Sequence, residues 1–303
     1  MGSRDYILIG VLCGALLLGV LFPAASQRMA PAIKYLMMAL LFLSFIEITP
    51  GDVWHAVRSS TPALVRGSLV RLVLAPVLVY GAVHALYPWL ALPVLLLAGM
   101  PTGVAAPFFV SLCRGNISFT LVMAVVTSLL VPFSLPLIVK IVHGTELHYD
   151  LVSMGLFLAV IIFVPLISSF ALRSTAPRLL ARVNGMSYPL SLVIIAAINF
   201  GVLGRHVPYL MANVDHLVIT AVTALLLGMV MTAVGWWTIL GKGWENRMAS
   251  AGSQLWINNV MLIALAVHLD SPLAAILGVV YILPYFGLFF FFSTYAGNHR
   301  SIA

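Results

Sequence analysis

The sequence predicts an all-α polytopic membrane protein of ten spanning helices, arranged as a 5 + 5 inverted repeat. Three observations carry that expectation. Of 303 residues, 62% are hydrophobic and only 8% are charged, with a mean hydropathy of +1.12, values that a soluble domain with a solvated surface does not sustain. One crossing takes about 20 apolar residues, and ten such runs follow one another with no gap long enough for a soluble domain. The basic residues fall unequally on alternate sides of these runs, as the positive-inside rule requires.

Taken in order, the first run covers about 6 to 23. Arg4 precedes it and Ala24-Ala25-Ser26 follows it, as in a secretory signal, but it outlasts the ~7–15 apolar residues of a signal core and reads as a span. The second covers about 33 to 49 and closes on Thr49-Pro50-Gly51-Asp52, with Glu47 near its end. The third, about 64 to 87, carries Arg71 some seven residues in, then Pro76. The fourth, about 92 to 113, is broken at Pro101-Thr102-Gly103 and again at Pro107. Backbone groups freed by such a break are tolerated in a bilayer only where protein or a wet cavity satisfies them, and discontinuous helices build the midplane sites of secondary carriers. The fifth, about 117 to 142, starts after the polar turn Arg114-Gly115-Asn116.

A short connection containing Gly144, Glu146 and Asp150 leads to the sixth run, about 150 to 172, and a basic loop at 173–185 follows as a cytoplasmic linker. The seventh, about 186 to 204, contains Asn199; the eighth covers about 216 to 240. The ninth, about 249 to 269, holds Gly252, Ser253, Gln254, Asn258 and Asn259, and ends near His268 and Asp270. The tenth, about 273 to 297, contains the Phe289 to Phe292 run. Residues 1–303 thus form a single membrane domain, with halves of about 6–143 and 150–297. Five is odd, so the second half runs opposite to the first and pairs the fourth run with the ninth, both interrupted. The bland reading is two polar helices in a bundle, where Gly and Pro serve packing alone.

With the N-terminus in the cytoplasm, the inner side receives Arg4, Arg58, Arg66, Arg114, Arg173, Arg178, Arg182, Lys242, Arg247 and Arg300, and the outer side Arg28, Lys34, Lys140 and Arg205. Only Arg71 falls within a span away from both sides. That distribution accounts for the net charge of +7 without nucleic acid, and it puts both termini of an inner-membrane protein in the cytoplasm. Cys13 and Cys113 both lie in apolar runs, where a thiol behaves as a small hydrophobe. His84, Tyr87, Trp89, Trp236, Trp237 and Trp244 read as interface anchors.

Four stretches together carry a family resemblance: Thr49-Pro50-Gly51-Asp52, Gly67 with Pro76, Pro101 to Asn116, and Gln254 to Asn259. In these the chain resembles the bile acid:sodium symporter family. The resemblance implies ten helices, the fourth and ninth unwound where they cross, a four-helix panel rocking against a six-helix core, and an organic anion bound between them. It also exposes departures. The family's sodium-ligating Ser-Asn pair falls on Ala106-Pro107, and its fifth-helix hydroxyl ligands fall on Thr120 and Ala124, one kept and one lost. Its Glu-x-x-x-Gln-Asn motif aligns with Gln254-x-x-x-Asn258-Asn259 or with Ser250-x-x-x-Gln254-Leu255, and neither register supplies the acid. Its third-helix sodium-ligating Gln falls on Arg71.

Hard cations need several oxygen ligands, usually including a carboxylate, so sodium is doubtful and no metal is expected. An arginine inside a span is functional by default. On this reading Arg71 sets a permanent cation where relatives bind sodium and hydrogen-bonds Gln254, Asn258 or backbone carbonyls. The alternative is that it snorkels to the interface. Asn199 either bridges helices or faces substrate. His268 beside Asp270 reads as a proton relay or an interfacial pair. The last-helix contact of the family falls near Tyr285-Phe286, which implies an apolar cavity.

No nucleophile with its base, phosphate loop or dinucleotide fingerprint occurs, and no cofactor or enzymatic activity is expected. The expectation is a secondary carrier for a small organic anion, working by alternating access, sodium-independent, by uniport or with proton coupling. Thr102, Gly103, Pro107, Asn199, Gln254, Asn258 and Asn259 would form the substrate site, with the half-helix after Pro107 presenting backbone amides. Rivals are a sodium-coupled symporter with altered ligands, a channel, or a receptor of the same fold that binds without flux.

Overall fold

The computed structural model describes residues 3–46, 62–144, 150–238 and 243–298, with positions 49, 51, 54 and 58. Glu47, Pro50, Asp52, Glu146, Lys242 and Arg300 lie outside the described residues, as do the side chains of Arg4, Cys13 and Arg205. Among the described residues the fold is helical, and the one extended pairing is an isolated antiparallel bridge between Thr102 and Ile257.

The helices are α1 (Ser3–Leu21), α2 (Pro23–Phe45), α3 (Pro62–Leu86), α4 (Pro88–Ala98), α5 (Ala106–Leu112), α6 (Ile117–His143) and α7 (Leu151–Thr175). They continue as α8 (Pro177–Gly185), α9 (Ser187–Ala212), α10 (Val214–Thr238), α11 (Trp244–Leu255), α12 (Asn259–His268), α13 (Pro272–Val280) and α14 (Ile282–Asn298). By length and composition, six described spans can cross a bilayer: α2, α3, α6, α7, α10 and the joined pair α13–α14. The pair α8 and α9, bent by 66°, adds a seventh when taken as one span. The chain is therefore a polytopic integral membrane protein. The halves of the two interrupted segments, α4 with α5 and α11 with α12, are individually too short to cross.

Capping explains several boundaries. The side-chain oxygens of Asn116, Asp150 and Asn258 accept from Phe119, Val152 and Met261 amides at 3.1, 3.0 and 3.1 Å, satisfying donors that each new helix would otherwise leave open. Two boundaries differ from the sequence expectation. The second span begins at Pro23 rather than near 33, because Ser26 hides its hydroxyl on the Phe200 carbonyl at 2.5 Å and Pro31 sits in a tight 3-10 turn, Ala30–Ala32, where its ring is tolerated. Residues 177–185 form the short helix α8 and not a loop: Pro177 suits a first helical turn, and Leu180 is buried.

Within α3, Pro76 has no N–H to offer and its ring crowds the carbonyl four residues back. The chain widens there into a π turn, Val70–Leu74, in which the Ala75 amide reaches back to the Val70 carbonyl. At the centre of the bundle lie α4 and α12. Neither has a polar face, and nearly every side chain from Leu90 to Ala98 and from Met261 to Ala266 is buried, as expected of helices apolar on all sides.

Candidate functional site

The two interrupted segments meet at their breaks. Between α4 and α5 the chain runs without helix from Gly99 to Ala105, and between α11 and α12 from Trp256 to Asn258. Gly103 N–H donates to the Trp256 carbonyl at 2.7 Å, and Asn258 N–H donates to the Pro101 carbonyl at 3.0 Å. A Cβ on residue 103 would lie 3.0 Å from the Trp256 oxygen and 3.1 Å from the Ile257 oxygen, so the approach of the two strands depends on glycine there. The Thr102 amide donates to Thr127 Oγ1 at 3.1 Å, and the Thr102 hydroxyl donates to the Ser253 carbonyl at 2.8 Å. The Tyr281 hydroxyl donates to the Leu255 carbonyl at 2.9 Å. Freed backbone groups in a low-dielectric bundle are costly unless paired, and side chains from other helices pair several of them here.

Arg71 belongs to this set. Its side chain is fully buried, and its Nη2 donates to the Met100 carbonyl at 2.5 Å, where α4 has ended. The π turn is what places it: the widened backbone lies on the bundle side of α3, with Val70, Arg71 and Leu72 all buried. Among the described residues Nε and Nη1 have no hydrogen-bond partner. The guanidinium therefore points into the protein and does not snorkel to an interface. Gln254 is also fully buried, its Nε2 3.5 Å from the Gly67 carbonyl and its Oε1 without a partner among the described residues. It joins α11 to α3 one turn before Arg71.

A cavity of about 450 Å³ opens beside the crossing, with neither Arg71 nor Gln254 in its lining. Gly103, Asn199, Asn258 and Asn259 line it, along with Ser44, Ser187, Tyr188 and Ser191. Its apolar wall includes Phe108, Phe109, Tyr285 and Phe286, so the last-helix pair singled out in the sequence does face this space. Among the described residues no Asp, Glu, Lys, Arg or His lines it. Asn199 Nδ2 donates to the Ile195 carbonyl at 2.9 Å and Asn259 Nδ2 to the Gly278 carbonyl at 3.0 Å.

The remaining expected site residues lie elsewhere. Thr102, Pro107 and Gln254 are buried off the cavity. Pro101 contributes its carbonyl to Asn258. Ala106 and Ala124 are buried and apolar, and Thr120 Oγ1 is spent on the Asn116 carbonyl at the start of its own helix at 3.1 Å. α5 has seven residues, too short for the amide-lined helix end envisaged after Pro107. His268 Nε2 lies 3.1 Å from Ser153 Oγ, and its ring stacks on Phe157. Among the described residues no group of three or more His, Cys, Asp and Glu comes together.

Sequence reasoning missed Met100 and Ser253 as partners at the breaks, because a backbone acceptor carries no side-chain signal, and it missed the hydroxyls of Thr127 and Tyr281, because each lies on a helix distant in sequence from the break it serves. It also missed the Ser187, Tyr188 and Ser191 group, although three hydroxyls within five residues of an apolar run are a readable mark of a wet helix face.

A helical membrane protein with two interrupted segments bridged at their breaks, beside a cavity, has the build of a carrier. The family model of the SBF-like CPA transporter family matches residues 6–269, and the chain belongs to that family of membrane transporters. The resemblance to bile acid:sodium symporters thus holds at family level. The chain is also 22% identical over 240 residues to the uncharacterized protein YbaS of Bacillus subtilis, spanning 77% of this chain and 76% of that one.

Proposed function

We propose that this chain is a secondary carrier of the inner membrane that moves a small organic anion by alternating access, with Arg71 holding the crossing in place of a sodium ion. It reads as ten crossings in two inverted halves, with both termini cytoplasmic. The observation that carries the reading is the Arg71 bond to the Met100 carbonyl at the end of α4. A bound cation in such a place would gather carbonyl and side-chain oxygens; the guanidinium gives that carbonyl a charged donor without any ion. Ala106, Ala124 and the self-bonded Thr120 offer little to a sodium ion.

The neutral cavity supports a substrate with an apolar body against Phe108, Phe109 and Phe286, and a polar end among Asn199, Asn258 and the serines. Arg71, behind the crossing, supplies the positive potential that favours an anion without meeting it directly. Low dielectric lets that charge act over a longer range than in water.

The test is uptake of a panel of organic carboxylates and sulfates into proteoliposomes, with sodium or choline as the external cation. Equal uptake in the two media is the expected result, and a clear sodium stimulation overturns the sodium-free mechanism. Repeating the uptake with an imposed pH gradient separates proton coupling from uniport.

A further inference from the structure

The short helix α8 has no part in the site described above, yet its residues are not those of a passive linker. Arg178 and Arg182 stand one helical turn apart on its exposed face. On the opposite face Leu180 is buried and Val183 packs against a small cluster with Leu43 and Ile46. Between these faces Leu179 is half exposed, and Met186 at the bend is similarly open. No Asp or Glu occurs in the chain from residue 151 to residue 214, so the basic face has no acidic neighbour along this stretch.

The 66° bend between α8 and α9 sets the direction of the helix. If α9 runs across the bilayer, α8 lies closer to the membrane plane than to the normal. A short helix in that attitude, held to the protein by one face, turns an apolar flank to the acyl boundary and a basic face to the headgroup layer. Arg173, at the end of α7, is occupied otherwise: its Nη2 donates to the Ile46 carbonyl at 2.5 Å.

We propose that α8 is an interfacial clamp in which Arg178 and Arg182 bind the phosphate of an anionic phospholipid headgroup while Leu179 and Met186 rest against its acyl region. The planar guanidinium fork matches phosphate geometry, and charge complementarity selects an anionic headgroup over a zwitterionic one. The clamp fixes the N-terminal end of α9, the helix that carries Ser187, Tyr188, Ser191 and Asn199 on the cavity wall. It stands on α8 alone and does not depend on the sodium-free reading.

The experiment titrates the full-length protein, purified in mild detergent, with phosphatidylglycerol or phosphatidylcholine and reads binding from thermal stabilisation. The expected result is that R178Q/R182Q binds phosphatidylglycerol about thirtyfold more weakly than wild type, with phosphatidylcholine unchanged. R178K/R182K, which keeps the charge, retains most of the affinity, and Arg114→Gln, an exposed cation elsewhere, retains all of it. The proposal is overturned if R178Q/R182Q binds phosphatidylglycerol like wild type, if Arg114→Gln loses as much, or if inorganic phosphate gives the same stabilisation. Should the double variant not fold, Arg182→Gln alone is titrated against the same criteria.

Discussion

At the scale of single residues, the question is whether Arg71 is kept for stability or for function. Burying its charge in a membrane helix costs about 2.5–3.5 kcal/mol on insertion scales, whereas orphaning the Met100 carbonyl by removing it costs about 1–3 kcal/mol. The two nearly cancel, so Arg71→Met should fold with a melting temperature close to wild type. Under the proposed mechanism its uptake falls at least roughly tenfold, the equivalent of about 1.4 kcal/mol. A large loss of thermal stability with residual uptake in proportion would make the arginine a structural staple instead. Arg71→Gln restores the residue that the resemblance places in sodium-binding relatives, but Ala106, Pro107 and the missing acid still leave the site short of oxygens. It should therefore show no sodium stimulation in the same assay. The charge in the middle of a span is readable from sequence; which way it points is not. That direction depends on the π turn, which exists because of Pro76, five residues on. Gln254 and Thr102 show the same limit, since a polar residue at a break faces cavity or protein according to its neighbours in space.

At the scale of elements, the crossing segments are held by close backbone approach rather than by large contacts. In lipid, small residues bring helices together because apolar surface gains little from leaving apolar solvent. Gly235 on α10 illustrates this: a Cβ there would meet the Ser250 carbonyl oxygen at 2.5 Å and Ala251 Cα at 2.7 Å. Backbone atoms of α11 cannot turn aside as a side chain can, so Gly235→Ala should destabilise by about 1–3 kcal/mol. Gly81 on α3 is the control, with nothing within 4 Å of its would-be Cβ. Its replacement by Ala should be neutral or stabilising by up to about 0.5–1 kcal/mol. Melting temperatures of the two variants in one detergent check the contrast, and equal effects would mean that α10 and α11 are not packed this closely. Long apolar runs and the paired breaks are legible in the sequence as elements. The helical state of 177–185 is not, because two arginines between a proline and a glycine carry the composition of a loop, and only burial of Leu180 turns them into a helix.

At the scale of the whole molecule, the charge distribution and the interrupted segments constrain one another. Under the proposed topology, ten crossings with a cytoplasmic N-terminus put Gly144, after α6, outside and Gly243, before α11, inside. A chain in which the first interrupted segment dips in and returns to the same side would exchange the two sides. Six described spans, or seven with the bent pair α8–α9, do not decide the matter by length, but accessibility does. Both glycines have positive φ, 67° at Gly144 and 113° at Gly243, so a side chain there is strained. Reporter cysteines are better placed at neighbouring exposed positions such as Lys140 and Glu245. In a background with Cys13 and Cys113 replaced, a membrane-impermeant maleimide added to intact cells should label Lys140→Cys at once and Glu245→Cys only after permeabilisation. Labelling of both from outside would remove the inverted repeat, because an even number of crossings, rather than three, would then separate the two positions within the second half. It would leave the bond between Arg71 and Met100 untouched, since that contact lies within the first half, and so would separate the topology from the chemistry of the crossing.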